Sequence, residues 1–217
     1  MTMLGIYALL LIVSVCVSFL ITRFFSNHFW NLYGLFGLCF GVCALLLVVI
    51  DSEFLAFSVL LYVFFITLFV LALIDMEFLA LPNAGLLVFL LLSIGVSFCK
   101  PNTLVFMQIT QGFAIMGVLF ALKVFLESLS KKELFGEADI IVLGGIGMVF
   151  GVQYCVFSVF VASLLALIVV FGIKVIQHRI LSKIPFVSFL FLSVCVLFFG
   201  GFTFLDTFIV LVGETNV

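Results

Sequence analysis

Charge is what this sequence has least of. Charged residues make up 8% of its 217 positions against 67% hydrophobic ones, where a soluble domain is about one-quarter charged and about half apolar. So little polarity cannot cover a water-soluble globule, and a mean hydropathy of +1.60 makes the bilayer the solvent that fits. The apolar residues run continuously instead of alternating, which excludes a transmembrane β-barrel. With a net charge of −2, no basic patch and no stacking platform, the chain offers no surface for nucleic acid. C-x-x-C pairs are missing too. The six cysteines, at 16, 39, 43, 99, 155 and 195, fall mostly inside apolar stretches and read as small buried hydrophobes. Cys39 and Cys43 are one helical turn apart but have no His or carboxylate nearby, so no metal site is expected. The first apolar run lacks a preceding basic segment, and its first Arg, Arg23, follows it. That suits a retained first span with its amino terminus outside, not a cleaved signal peptide.

What remains is a succession of apolar runs. A membrane-spanning helix needs about 20 apolar residues, fewer when packed inside a bundle. Eight such spans are predicted, at 4–22, 32–50, 54–74, 83–99, 104–126, 138–152, 154–173 and 186–206. The expected fold is all-α: a polytopic transmembrane bundle of about eight spans with the amino terminus outside. A seven-span alternative, in which the short sixth run is fused or dropped, stays open. The whole of 1–217 reads as one integral-membrane domain, with two amino-terminal spans in 1–50 and a six-span core in 51–206. In this orientation Arg23, Lys123, Lys131, Lys132, Lys174, Arg179 and Lys183 lie in or beside inner loops, and Lys100 alone lies outside. The bias agrees with the excess of basic residues on the cytoplasmic side of membrane proteins.

Two carboxylates stand out within this frame. Asp75 ends the third span within I-D-M-E-F-L-A-L-P-N (74–83), and Asp139 opens the sixth within F-G-E-A-D-I (135–140). Two crossings and one cytoplasmic loop separate them, so both fall at the cytoplasmic edge; an odd number of crossings would put them about 30 Å apart. An ionised carboxylate at a membrane boundary costs free energy unless something pairs or uses it. Two brought close together share a proton. The ionised member can then take a proton from water while the protonated member polarises a carbonyl, which is general acid–base hydrolysis without a covalent intermediate.

Each aspartate also has a structural reading. Asp is favoured at a helix start, where its side chain bonds free amides, and that suits Asp139. At the carboxyl end of a helix the charge opposes the dipole, which leaves Asp75 without a stabilising role in its own helix. Pro82 suits the first turn of the fourth span. Gly136 permits a close backbone approach or a positive φ just before Asp139. Gly144, Gly145, Gly147 and Gly151 give the sixth span a small face suited to close helix packing, expected to lie against the third span. The segment 127–137, the most polar of the chain, reads as a solvated loop or as a docking surface beside the aspartates. Asp51, Glu53, Asp206 and Glu214 cluster near outer ends and read as interface residues.

In these residues the chain resembles the prepilin peptidases, aspartyl peptidases of the GxGD type that serve type IV pili and type II secretion. Asp75 with Glu77, followed by Leu81-Pro82-Asn83, is similar to the first aspartate motif of that family. Gly136-Glu137-Ala138-Asp139 stands where the family has G-x-G-D. Ile184-Pro185-Phe186 with Phe189-Leu190 resembles the stretch that opens the last span. Ala138 departs from the second motif glycine, and Ile141 stands where relatives often carry Lys.

The resemblance implies catalysis by Asp75 and Asp139, supported by Gly136, Ala138, Pro82 and Pro185, with no cofactor and no metal. It implies prepilins or pseudopilins as substrates, cleaved between a basic leader and a membrane helix at the inner membrane. Glu77, Glu133 and Glu137 are the candidate contacts for that leader. Many relatives carry a cysteine-rich cytoplasmic domain between the first two spans and N-methylate the cleaved product. Here that loop is short, about 23–31, and holds no cysteine, which speaks against methyltransferase activity. Three other readings compete: a preflagellin-type or other GxGD intramembrane protease, an inactive relative, and a small transporter. Against the transporter stand nearly clean span interiors and the lack of an internal repeat.

Overall fold

The structure, a computed structural model, describes residues 55–100, 104–130, 136–177 and 184–199, all helix and short connections with no strand among them. Six helices follow one another: α1 (Leu55–Phe78), α2 (Asn83–Cys99), α3 (Val105–Ser130), α4 (Glu137–Phe150), α5 (Val152–Gln177) and α6 (Phe186–Phe199). They match the third to seventh predicted spans within a few residues and the start of the eighth, whose predicted end, 200–206, lies outside the described residues. The first two predicted spans, 4–22 and 32–50, lie outside the described residues. Among the described residues, three stretches, Ala56–Phe78, Val105–Ser130 and Val152–Gly172, are long and apolar enough to cross a membrane. The molecule is therefore an α-helical membrane protein.

These helices are apolar on nearly every side, as expected where lipid is the solvent. The outer surface of α3 carries Phe106, Phe113, Phe120 and Phe125, all exposed. Inside, packing replaces water exclusion as the organising force. Phe64 and Phe65 of α1, Phe89 of α2, Phe150 of α4 and Phe198 of α6 interlock, with ring centroids 4.9 Å apart for Phe64–Phe89 and 5.2 Å for Phe65–Phe198. The Tyr154 hydroxyl of α5 donates to the Val194 carbonyl of α6 at 2.8 Å.

The centre of the bundle is α4, whose residues from Val142 to Val149 are all buried. Fourteen residues rise only about 21 Å, so this helix is shorter than the hydrocarbon core. Its small face is taken up by α2 and α3, not by α1 as the sequence suggested. A methyl at Gly112 of α3 would lie 2.6 Å from the Gly144 carbonyl oxygen. One at Gly145 would lie 2.7 Å from the Ser93 hydroxyl of α2 and run into the Phe89 ring. The glycines let both neighbours come close, while α1 reaches α4 through Phe64 and Phe65 against Phe150.

The carboxyl end of α4 is closed by polar groups. Ser97 Oγ donates to the Met148 carbonyl at 2.9 Å and Lys100 Nζ to the Val149 carbonyl at 3.0 Å. The Gln108 amide, in the orientation its neighbours require, donates to Met148 O and accepts from Lys100 Nζ. A cation on free carbonyls at a helix carboxyl end is favourably placed against the dipole. Gly151 then turns the chain into α5 at φ +93°, a conformation glycine adopts without penalty.

Candidate active site at the end of α1 and the start of α4

Asp75 and Asp139 arrive at the same end of the bundle, Asp75 from the last turn of α1 and Asp139 from the first turn of α4. Asp75 is buried, with 8% of its surface exposed. Asp139 is half-buried and within electrostatic reach of Asp75.

The surroundings of Asp75 supply from another helix the stabilising partner that its own helix does not offer. Its Oδ2 accepts a hydrogen bond from the Val187 amide at 2.9 Å. Val187 and Ser188 lie in the first turn of α6, whose amides have no partner within their own helix. Asp75 thus opposes the dipole of α1 but complements that of α6. One turn back in α1, the Ala72 carbonyl accepts from Ser188 Oγ at 2.7 Å. Asp75's own carbonyl holds the amide of Leu79 at 3.0 Å, and Leu79 has a left-handed φ of +52°.

Asp139 occupies the third helical position of α4 and reaches back to the backbone amide of Gly136, the residue that starts the helix. This is the reciprocal half of a capping box. Gly136 has φ −69°, open to any residue, so it supplies space and not a special backbone angle. A Cβ there would lie 2.8 Å from Asp139 Oδ2. Ala138 is helical, half-buried and packed on the core, a position where a methyl fits.

Pro82 stands directly before α2 (φ −71°, ψ 132°), which begins at 83 as the predicted fourth span does, and its carbonyl accepts from the Leu86 amide at 3.2 Å. Pro185 stands directly before α6. Glu77 is exposed in the last turn of α1. Glu137 is exposed and paired at 3.0 Å with Lys123, a buried residue of α3. Glu133 lies outside the described residues. Among the described residues, no group of three or more His, Cys, Asp and Glu side chains comes together that could hold a metal ion.

Sequence reasoning missed two features of this end of the molecule: the Lys123–Glu137 pair and the Ser188 hydroxyl on Ala72. The first joins residues 14 apart across a loop, a separation that no helical repeat reveals. The second had a partial signal, because Pro185 followed by Ser188 marks a helix start whose free amides need acceptors.

Residues 62–171 match the type IV leader peptidase family. That stretch contains both aspartates and ends before Ile184-Pro185-Phe186. No curated protein and no solved structure matches the chain. With a match over half its length, reaching from within α1 into α5, the chain belongs to the type IV leader peptidase family.

Proposed function

We propose that this protein is a membrane aspartyl endopeptidase that removes the basic leader from type IV prepilins or from pseudopilins of type II secretion, with Asp75 and Asp139 as its catalytic pair. One observation carries the reading: two carboxylates from separate helices lie at one end of the bundle, Asp139 within reach of the Asp75 charge. Membership of a leader peptidase family supports the substrate class.

The chemistry follows from the pair. One carboxylate takes a proton from water, whose oxygen forms a bond to the scissile carbonyl carbon. The protonated partner donates to the carbonyl oxygen as negative charge builds on it. Collapse breaks the C–N bond, the proton taken from water passes to the departing amine, and the proton given to the carbonyl oxygen returns to the acid partner. The products are a leader with a free carboxylate and a mature protein with a free amino terminus. No step calls for a metal or a cofactor, and methyl transfer is not part of the proposal.

The membrane arrangement is proposed with it. Eight spans with the amino terminus outside put the aspartates at the cytoplasmic face of the inner membrane, where a prepilin leader meets its membrane helix. The whole chain acts as one integral-membrane domain, with lipid and substrate as its partners. Glu77, Glu133 and Glu137 draw in the basic leader.

The test is cleavage of a membrane-embedded prepilin by purified wild type, Asp75→Asn and Asp139→Asn. Wild-type cleavage at the leader junction with two folded but inactive variants supports the pair. Variants that cleave as well as wild type overturn it.

A further inference from the structure

The two aspartates are held differently. Asp75 receives the Val187 amide at the amino end of a 14-residue helix, a place that favours negative charge. Asp139 has the Gly136 amide, at the start of its own helix. No side chain of α6 near its start is ionisable, and Lys100, which follows α2, bonds at the opposite end of α4. Among the described residues, Asp75 is the charge that acts on Asp139, and Glu77 is exposed on the same helix as Asp75.

Ser188, the next residue, ties α6 to α1 a second time. Its hydroxyl donates to the Ala72 carbonyl at 2.7 Å, one turn before Asp75. Two successive residues of α6, Val187 through its amide and Ser188 through its hydroxyl, thus hold α1 at two successive points. Ser188 is 7% exposed, so water is a poor substitute for its bond.

We propose that Ser188 is a positioning residue for Asp75: its bond to the Ala72 carbonyl keeps the start of α6 on the Asp75 carboxylate, which makes Asp75 the ionised, water-activating member and leaves the shared proton on Asp139. The proposal rests on the two-aspartate reading and adds to it a division of roles and a third residue outside the family match.

Wild type, Asp75→Asn, Asp139→Asn, Ser188→Ala and Ser188→Thr are assayed on a membrane-embedded prepilin. The same samples are compared by infrared difference spectroscopy at neutral pH. At that pH, subtracting the Asp75→Asn spectrum from wild type isolates an ionised carboxylate band. Subtracting Asp139→Asn isolates the carbonyl band of a protonated acid. Ser188→Ala lowers kcat by about tenfold to a hundredfold, the scale of a small misplacement of a reacting group, with KM nearly unchanged and the Asp75 band weakened. Ser188→Thr, which keeps the hydroxyl, restores both.

A protonated band assigned to Asp75, or a Ser188→Ala enzyme with wild-type kcat and unaltered bands, overturns the proposal while leaving the pair intact. If both Asp→Asn variants cleave normally, the two-aspartate reading itself has failed. Should Ser188→Ala not fold, Ser188→Cys, close in size and a weak donor, replaces it under the same criteria.

Discussion

Asp75 and Val187 lie 112 residues apart in the chain and 2.9 Å apart in space, the carboxylate accepting from the amide. The bond ties the end of α1 to the start of α6, so Asp75 has a structural task as well as a proposed chemical one. Substitution by Asn and by Ala separates the two. In Asp75→Asn the side-chain amide oxygen still accepts from Val187, so the fold should persist while cleavage drops by about 100-fold or more. Asp75→Ala should be equally inactive and less stable than Asp75→Asn by about 1 kcal/mol, the usual cost of losing a helix cap. Thermal unfolding in detergent measures the difference. Equal stability of the two variants would mean that the bond to α6 contributes nothing.

Gly136 and Ala138 both precede Asp139 closely and should respond oppositely. Alanine at 136 is open to the backbone but puts a methyl 2.8 Å from Asp139 Oδ2, pushing the carboxylate off the Gly136 amide. Gly136→Ala is expected to lower the cleavage rate by about tenfold or more through misplacement, with little loss of stability. Ala138→Gly changes a helical residue that already fits. It should cost about 0.5–1 kcal/mol of stability and leave the rate unchanged. A faster Ala138→Gly enzyme would show that the methyl hinders the site.

How much of this was legible in the sequence depends on the range of the interaction. The helices could be read because lipid demands long apolar runs, and the shared end of Asp75 and Asp139 followed from counting crossings. The contact of Asp139 with its own helix start was legible because the partners are three residues apart. Asp75's partner was not, since the backbone amide it meets belongs to a helix more than a hundred residues away and nearly every residue type carries that amide. The glycines of α4 announced close packing but not with whom; Gly112 on α3 and Phe89 on α2 became their neighbours only in three dimensions. The spans before residue 51, the end of the last span past 199, Glu133, and the interface residues Asp51, Glu53, Asp206 and Glu214 lie outside the described residues.

The glycine seat of α4 makes a prediction with its own control. Gly112→Ala brings a methyl 2.6 Å from the Gly144 carbonyl, whereas a methyl at Gly117 of the same helix meets nothing within 4 Å. Overpacking a close seat costs about 1–3 kcal/mol, so Gly112→Ala should lower the unfolding midpoint and reduce cleavage with it. Gly117→Ala gains helix propensity, up to about 1 kcal/mol, and should be neutral or stabilising. Similar losses in both would show that α3 does not seat on α4 through Gly112.

Glu137 answers to two demands. Its partner Lys123 is buried, yet Glu137 itself is 77% exposed, and a pair so open to solvent contributes about 0–1 kcal/mol. Glu137→Gln should therefore change stability little. If Glu137 also receives a basic leader, KM for the prepilin rises while kcat holds. Glu133→Lys is expected to raise KM in the same way. An unchanged KM in both variants would remove these carboxylates from leader recognition.

Leu79 closes the first aspartate segment in a conformation that suits it badly. A φ of +52° brings Cβ against the backbone in any residue but glycine, at a cost of about 1–2 kcal/mol. The same residue's amide bonds the Asp75 carbonyl at 3.0 Å, so the strain is held beside a proposed catalytic residue, where strained backbone often serves function. Leu79→Gly relieves it. The variant should unfold at a higher temperature, since the relief outweighs the extra freedom glycine gains when unfolded. If the turn serves only to end α1, cleavage is unaffected. If the strain helps to hold Asp75, the more stable variant cleaves more slowly, and stability and rate move in opposite directions. A variant that loses both would show that the Leu79 side chain, 41% exposed, is needed more than its backbone is strained.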